Sequence, residues 1–259
     1  MSIYEGVVKN IETIVEKDFP NHPFSHGITE ENFEGVIRNY LTMSLAFPYI
    51  QSGAQLRLLK HYLDNCLDIP HGVEATAVVG AFLAWDEFGG HAIVSKRGNE
   101  GLPLIINSGG FHANMLRRDI QRILGKSVAP EFSVVTKKYL QKLEYGLSDI
   151  DPVTRVAHMV AFEQHAGIMI DSLWETIVSI YDIDKEHLTY FRTHVGGDDP
   201  GEVYHVQMTK RMIEEVIKEQ DVARFSDFFR DAFEMNATWC EKIKDHDRSD
   251  MEFKYYALH

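Results

Sequence analysis

The sequence predicts an all-α protein, a single-domain helical bundle with one long loop. Apolar residues recur at spacings of three and four in nearly every segment, which is the helical period, and strand-like alternation is lacking. Stop signals rich in glycine and proline separate these segments, for example at 68–72 and 124–130. No repeat, low-complexity tract or linker interrupts the chain, so residues 1–259 are interpreted as one domain.

Ten helices follow from the apolar spacing. They lie near 3–18, 29–46, 48–66, 71–92, 111–125, 131–147, 152–181, 185–195, 200–220 and 222–247. Asp151-Pro152 and Asp199-Pro200 are each typical of an N-cap followed by proline at the first helical position. The exception is the segment 95–110, SKRGNEGLPLIINSGG, whose glycines and proline exclude a continuous helix. Long ordered loops in compact domains are often functional.

Composition excludes several classes of function. The formal charge of -13 argues against nucleic acid or an anionic membrane as the main partner. Two cysteines, Cys66 and Cys240, imply no disulfide framework and fit a reducing cytoplasm, and neither is expected to have a histidine neighbour that would activate it. No apolar run approaches the roughly 20 residues of a membrane span, and the N-terminus is interpreted as a first helix. We therefore expect a cytoplasmic protein.

Two polar residues end the apolar face of the helix predicted near 71–92. Glu87 and His91 follow Val73, Ala77, Gly80 and Ala84 at helical spacing, so all six share a face. A Glu and a His four residues apart can reach one metal ion. The alternative is that Gly89-Gly90 ends the helix, so that both side chains are solvated.

Glu163 interrupts an apolar stripe within the helix predicted near 152–181. An unpaired buried carboxylate costs several kcal/mol, so a cation must compensate. A metal ion is the preferred compensation, and an ion pair with an arginine is the alternative.

The stretch HVGGDDPGEVYH, residues 194–205, places two histidines among acidic residues and helix-breaking glycines and proline. His194 follows the aromatic pair at 190–191, and His205 lies on the polar end of the next helix. A polar surface turn is the alternative interpretation. His112 opens the helix near 111–125, where it is either a ligand or a surface residue.

The candidate ligands combine carboxylates with imidazoles. They are Glu87, Glu163, Asp198, His194, His205 and either His91 or His112. Such a donor set suits iron or manganese better than structural zinc. Carboxylates from several helices of a bundle commonly hold two metal ions close together.

Four short motifs carry a family resemblance: WDEFGGH (85–91), HANMLRRDIQRILG (112–125), AFEQH (161–165) and YFRTHVGGD (190–198). With them, the chain resembles the heme-oxygenase-like diiron oxidases and oxygenases. The thiaminase-II-like and quinone-synthase-like bundles and a chlamydial death-domain-associated protein share that fold. The resemblance covers most of the chain. It implies two Fe(II) ions, with manganese possible at one site, and O2 as cosubstrate.

Two departures from the family pattern leave alternatives open. The family's second histidine follows the aspartate by three residues, whereas position 201 is glycine and the next histidine is His205. A straight helix would separate residues 194 and 205 by about 16 Å, so a break is required. The third carboxylate is Asp198, Asp199 or Glu202. In the family, the second ligand precedes the helix that ends in Leu-Gly. This position favours His112 slightly over His91.

The resemblance implies oxidation of a small organic substrate, with an amino acid or a derivative as the expected class and C–C cleavage, N-oxygenation or oxidative rearrangement as the chemistry. Arg192 is a candidate for binding a substrate carboxylate, and a homodimer is possible. One alternative is a metal-free thiaminase-like or quinone-synthase-like enzyme. Another is a non-catalytic helical interaction protein.

Overall fold

The computed structural model describes residues 2–197 and 201–245, with backbone alone for Glu202 and Val203. The described residues form ten α-helices, with short 3₁₀ segments and no strand, which confirms the predicted all-α class. They are α1 (Ile3–Asp18), α2 (Glu30–Asp64), α3 (His71–Glu87), α4 (Gly90–Arg97), α5 (His112–Leu124), α6 (Val134–Leu147), α7 (Pro152–Ile180), α8 (Thr189–Val195), α9 (Glu202–Val216) and α10 (Val222–Lys244).

The 35-residue helix α2 corrects the prediction of two helices at 29–46 and 48–66. Pro48 lies inside α2 and supplies no backbone N–H. The helix nevertheless continues, and the hydroxyl of Ser52 donates to the Pro48 carbonyl at 2.9 Å. Because α2 packs against α3 and α6, burial on both sides of the proline outweighs the local cost.

The segment predicted as one long loop, 95–110, is largely helical, and that prediction is wrong. Helix α4 extends to Arg97, and Gly98–Asn107 forms consecutive 3₁₀ turns. The helix predicted at 71–92 ends at Glu87 instead, because Gly89 adopts a left-handed conformation with φ of 75°. Short 3₁₀ turns accept glycine and proline where a continuous α-helix does not.

The predicted break between the two histidines is confirmed. Helix α8 ends at Val195, Gly197 has φ of 81°, and α9 begins at Glu202. A 3₁₀ turn at Lys185–His187 precedes α8, where the sequence predicted one helix over 185–195.

Helix α7 is the centre of the bundle. Asp151 caps it by accepting the backbone N–H of Thr154 at 3.1 Å, as its Asp-Pro start predicts. It packs against α3, α6, α8, α9 and α10. Within the described part of the chain, no helix is long and apolar enough to cross a membrane.

Candidate metal centre

Three predicted ligands from three helices meet inside the bundle. Glu87 ends α3, His112 begins α5 and His194 lies in α8. His112 Nδ1 is 3.4 Å from Glu87 Oε2, and His194 Nε2 is 3.9 Å from Glu87 Oε1. One donor atom from each residue lies within 4.8 Å of the other two. This separation suits a single metal ion bound between them.

Two glycines bring Glu87 and His112 together across 24 intervening residues. A Cβ atom on Gly89 would lie 2.5 Å from the carbonyl oxygen of Gly110, which is closer than any side chain allows. Gly89, just after α3, therefore touches Gly110, just before α5, so the two segments meet backbone to backbone. Because Gly89 has φ of 75°, glycine fits this turn without strain.

The position of His194 depends on α5 as well. The buried carboxylate of Asp119 accepts the backbone N–H groups of Thr189 at 3.0 Å and Tyr190 at 2.7 Å, which are the first two of α8. In turn, His194 Nδ1 donates to the Tyr190 carbonyl at 2.8 Å. That hydrogen bond leaves Nε2 of His194 facing Glu87.

A second group of ligands surrounds His205 on α9. Its Nε2 donates to Asp86 Oδ2 at 2.9 Å, and its Nδ1 lies 3.5 Å from Glu163 Oε2. Burial alone would lower the pKa of His205, but hydrogen bonds to Asp86 and Glu163 raise it to about 11. Without a metal ion, His205 is therefore a cation between two carboxylates. This arrangement matches a ligand held in place by an outer carboxylate.

Both groups line one cavity of about 80 Å³ at the centre of the bundle. Its apolar wall includes Met43, Phe47, Leu83, Phe162, Met169 and Ile170. Burial would raise the pKa of Glu87, yet His112 and His194 hold that pKa well below its usual range. The cavity thus combines at least two carboxylates and three imidazoles with a water-poor wall.

The structure separates the two alternatives for the second histidine. His112 is 3 % exposed and lines the cavity, in contact with Glu87. His91 lies elsewhere, against the rings of Phe82, Trp85 and Tyr204, with centroids 5.2 to 6.3 Å away. It is absent from the cavity wall, so the structure does not bring His91 together with Glu87 and His194 as it does His112.

The remaining predicted positions are Asp198, Asp199, Glu202 and Arg192. Asp198 and Asp199 lie outside the described residues, as does the side chain of Glu202, so the third carboxylate stays open among them. Arg192 does not line the cavity; its guanidinium binds Glu186 on the surface, which removes it as a contact for substrate there.

Sequence reasoning missed several residues that shape the centre. Asp86, 1 % exposed, directly precedes Glu87, and two consecutive acids near a helix end resemble an ordinary solvated terminus. Tyr40 of α2 joins its hydroxyl to that of Tyr190 at 2.8 Å beside the cavity. Burial is the main cause that raises the pKa of both phenols. No local sequence pattern marks Tyr40, since it occupies an ordinary core position of α2.

No histidine was expected to activate either cysteine; Cys240 nevertheless has two histidines close to its thiol, although burial raises the pKa of that thiol. In space, its thiol lies within 4.8 Å of a ring nitrogen of His22 and of His165. All three residues are buried, and none lines the central cavity. Long-range packing of α10 on α7 creates this proximity.

Comparison with known proteins gives structural neighbours and no sequence relatives. No family model matches the chain, and no curated protein matches it significantly. A crystal structure at 2.00 Å of a CADD-like protein of unknown function from Nostoc punctiforme superposes with a TM-score of 0.64 at 15% identity, covering 93% of this chain and 96% of that one. A second crystal structure with that description, at 1.35 Å, gives 0.62 at 14% identity, covering 93% and 94%. The chain therefore has the all-α fold of the CADD-like structures.

Proposed function

We propose that this protein is a non-heme diiron oxidase or oxygenase that uses O2 to oxidise a small organic substrate. The observation that supports it most directly is the convergence of Glu87, His112 and His194 with Glu163 and His205 on one buried cavity. Five donors from five helices are an unusual arrangement for a core, because each buried polar group must be compensated.

The donor chemistry fits two Fe(II) ions. Glu87, His112 and His194 would hold one ion, and Glu163 and His205 the other, with a carboxylate from the 198–202 segment completing the set. Carboxylate and imidazole ligands suit iron, with manganese possible at one site, and the cavity holds no thiolate. When bound, the ions would activate O2.

The protein's own groups orient the ligands. Asp86 fixes the ring of His205 so that Nδ1 faces Glu163, and the Tyr190 carbonyl does the same for His194. Binding of an ion at His205 requires the proton on Nδ1 to leave. The proton on Nε2 remains on the ring, where it is donated to the Asp86 carboxylate. Because the rings are already oriented, less conformational entropy is lost when they bind a metal ion.

The cavity favours a small and largely apolar substrate. Phe47 and Phe162 stack with centroids 4.1 Å apart and form one side of the wall. Among the described residues that line the cavity there is no lysine or arginine. If the substrate is an amino acid or a derivative, as we propose, the metal ions would be the nearest counter-charge for its carboxylate.

The buried position of Cys240 does not favour the thiaminase-like alternative. That chemistry needs a thiolate that reaches a bound substrate. Cys240 is 0% exposed and does not line the central cavity, and Cys66 lies on the surface.

Anaerobic Fe(II) titration of the chelator-treated protein tests the proposal, with His112→Gln and His91→Gln as a matched pair. We expect about two ions per chain in the wild type and in His91→Gln, and a loss of about one in His112→Gln. Exposure of the loaded protein to O2 should then give a transient visible absorbance. Wild-type binding no higher than background, or equal binding by His112→Gln, would overturn the proposal.

A further inference from the structure

Another cluster of side chains of the types that bind metal ions lies outside the central cavity. His22 precedes a 3₁₀ turn at Pro23–Ser25, His165 lies in α7 and Cys240 in α10. One donor atom from each lies within 4.8 Å of the others, and the two Nε2 atoms are 3.2 Å apart. Their exposed fractions are 7%, 2% and 0%.

We propose that His22, His165 and Cys240 form a second, buried site for a thiophilic metal ion, Zn²⁺ or Cu⁺. A tetrahedral ion with usual bond lengths to imidazole holds two ring nitrogens about 3.3 Å apart. The observed separation of 3.2 Å between the two Nε2 atoms matches this value. The site is independent of the proposed diiron function.

A fourth donor, Met169, lies next to the thiol, at the wall between this site and the central cavity. Met169 Sδ is 3.5 Å from Cys240 Sγ, and its side chain is also buried. Two imidazoles, a thiolate and a thioether form a soft donor set without a carboxylate. Such a set selects copper or zinc over the iron or manganese that the central cavity suits, and the thioether favours Cu⁺.

A hydrogen bond between the histidines is the competing explanation. The backbone N–H of Phe24 donates to His22 Nδ1 at 3.1 Å, so the neutral ring has its proton on Nε2, where it donates to His165. Metal binding through Nε2 shifts this proton to Nδ1 and breaks the Phe24 contact. The loss of one neutral hydrogen bond is small beside the binding free energy of a thiolate and imidazole site.

The protonation states suit a metal ion. Burial lowers the pKa of His22 to about 4, with His26 and Lys244 adding to the effect, and burial with His22 lowers that of His165. Both rings are therefore neutral at physiological pH, and a neutral ring can offer a lone pair. Burial raises the pKa of Cys240, so the ion must displace the thiol proton, as it does at other thiolate sites.

An entry path for a cation is present. His22 lines a surface pocket of about 390 Å³, whose wall includes the carboxylate residues Asp18, Glu234 and Glu241. Two of these carboxylates are ion-paired, Asp18 with Arg230 and Glu241 with Lys244, so the pocket supplies access to His22 and no strong electric field. An ion that enters the pocket meets His22 first, and His165 and Cys240 lie behind it.

Cobalt titration in a Cys66→Ser background tests this site. The sequence has two cysteines, so Cys240 is then the sole thiol, and a near-ultraviolet thiolate-to-Co²⁺ charge-transfer band reports this site alone. The carboxylate and imidazole ligands of the central cavity cannot give that band. We expect the final intensity of the band to correspond to one Co²⁺ ion bound at this site per chain. Zn²⁺ or Cu⁺ should displace that ion and remove the band.

His165→Gln and Cys240→Ser in the same background should each abolish the band, whereas His91→Gln should keep it. Circular dichroism shows whether each variant is folded, and His165→Gln serves if Cys240→Ser does not fold. A Cys66→Ser protein that binds Co²⁺ without a thiolate band would overturn the proposal. A band that survives His165→Gln would do the same.

Discussion

The carboxylate of Asp119 accepts the backbone N–H of Tyr190 at 2.7 Å and so fixes the start of α8 against α5. Since α5 begins with His112 and α8 contains His194, this contact contributes to the distance between two proposed ligands. Their rings lie 4.6 Å apart, centroid to centroid.

Asp119→Ala should destabilise the protein and weaken iron binding. It removes the acceptor for two N–H groups at a helix start, a loss of roughly 1–2 kcal/mol for a cap of this kind. Chemical denaturation and Fe(II) titration measure the two effects. Asp119→Asn retains an oxygen acceptor, so its stability and iron affinity should lie between those of the wild type and Asp119→Ala. Asp184→Ala, which removes the cap of the exposed 3₁₀ turn, is the control and should leave iron affinity unchanged.

Sequence reasoning predicted the helices well because apolar spacing and proline caps are local signals. It failed where packing decided: Pro48 stays inside α2, and the glycine-rich segment after α4 forms 3₁₀ turns. The apolar stripe around Glu163 correctly predicted that this carboxylate faces the interior, since a helical face is local information. Asp86 and Cys240 were missed because their partners, His205 and His165, come from distant segments.

Asp86→Ala should lower the affinity of the second ion. The hydrogen bond from His205 Nε2 to Asp86 holds the ring with Nδ1 towards Glu163. Loss of an outer partner of this kind typically weakens metal affinity by about 10- to 100-fold. Stepwise Fe(II) titration should show a weaker second step and an unchanged first one, with Asp86→Asn closer to the wild type. An unaltered second step in Asp86→Ala would contradict the role given to this carboxylate.

Gly89→Ala should disrupt the approach of α3 to α5. A Cβ atom at this position would collide with the Gly110 carbonyl oxygen. The left-handed backbone conformation costs alanine roughly a further 1–2 kcal/mol. We expect a loss of at least about 2 kcal/mol in unfolding free energy and weaker iron binding. Gly53→Ala is the control, because a Cβ there meets nothing within 4 Å inside α2, and alanine favours the helix. Equal stability of the two variants would show that the contact is dispensable.

The metal-free protein should lose stability as pH rises above neutrality because of His205. Its folded-state pKa of about 11 exceeds the ordinary value of 6.5, so the folded protein keeps a proton that the unfolded chain releases. The contribution is therefore complete below pH 6.5 and falls between 6.5 and 11, by up to about 1.4 kcal/mol per pH unit. Urea denaturation in chelator at pH 6.5, 8 and about 9.5 measures it as the stability difference between wild type and His205→Gln, which cancels the titrations that both proteins share. That difference should shrink with rising pH. A constant difference for His205→Gln would mean that His205 is not held as a cation between Asp86 and Glu163.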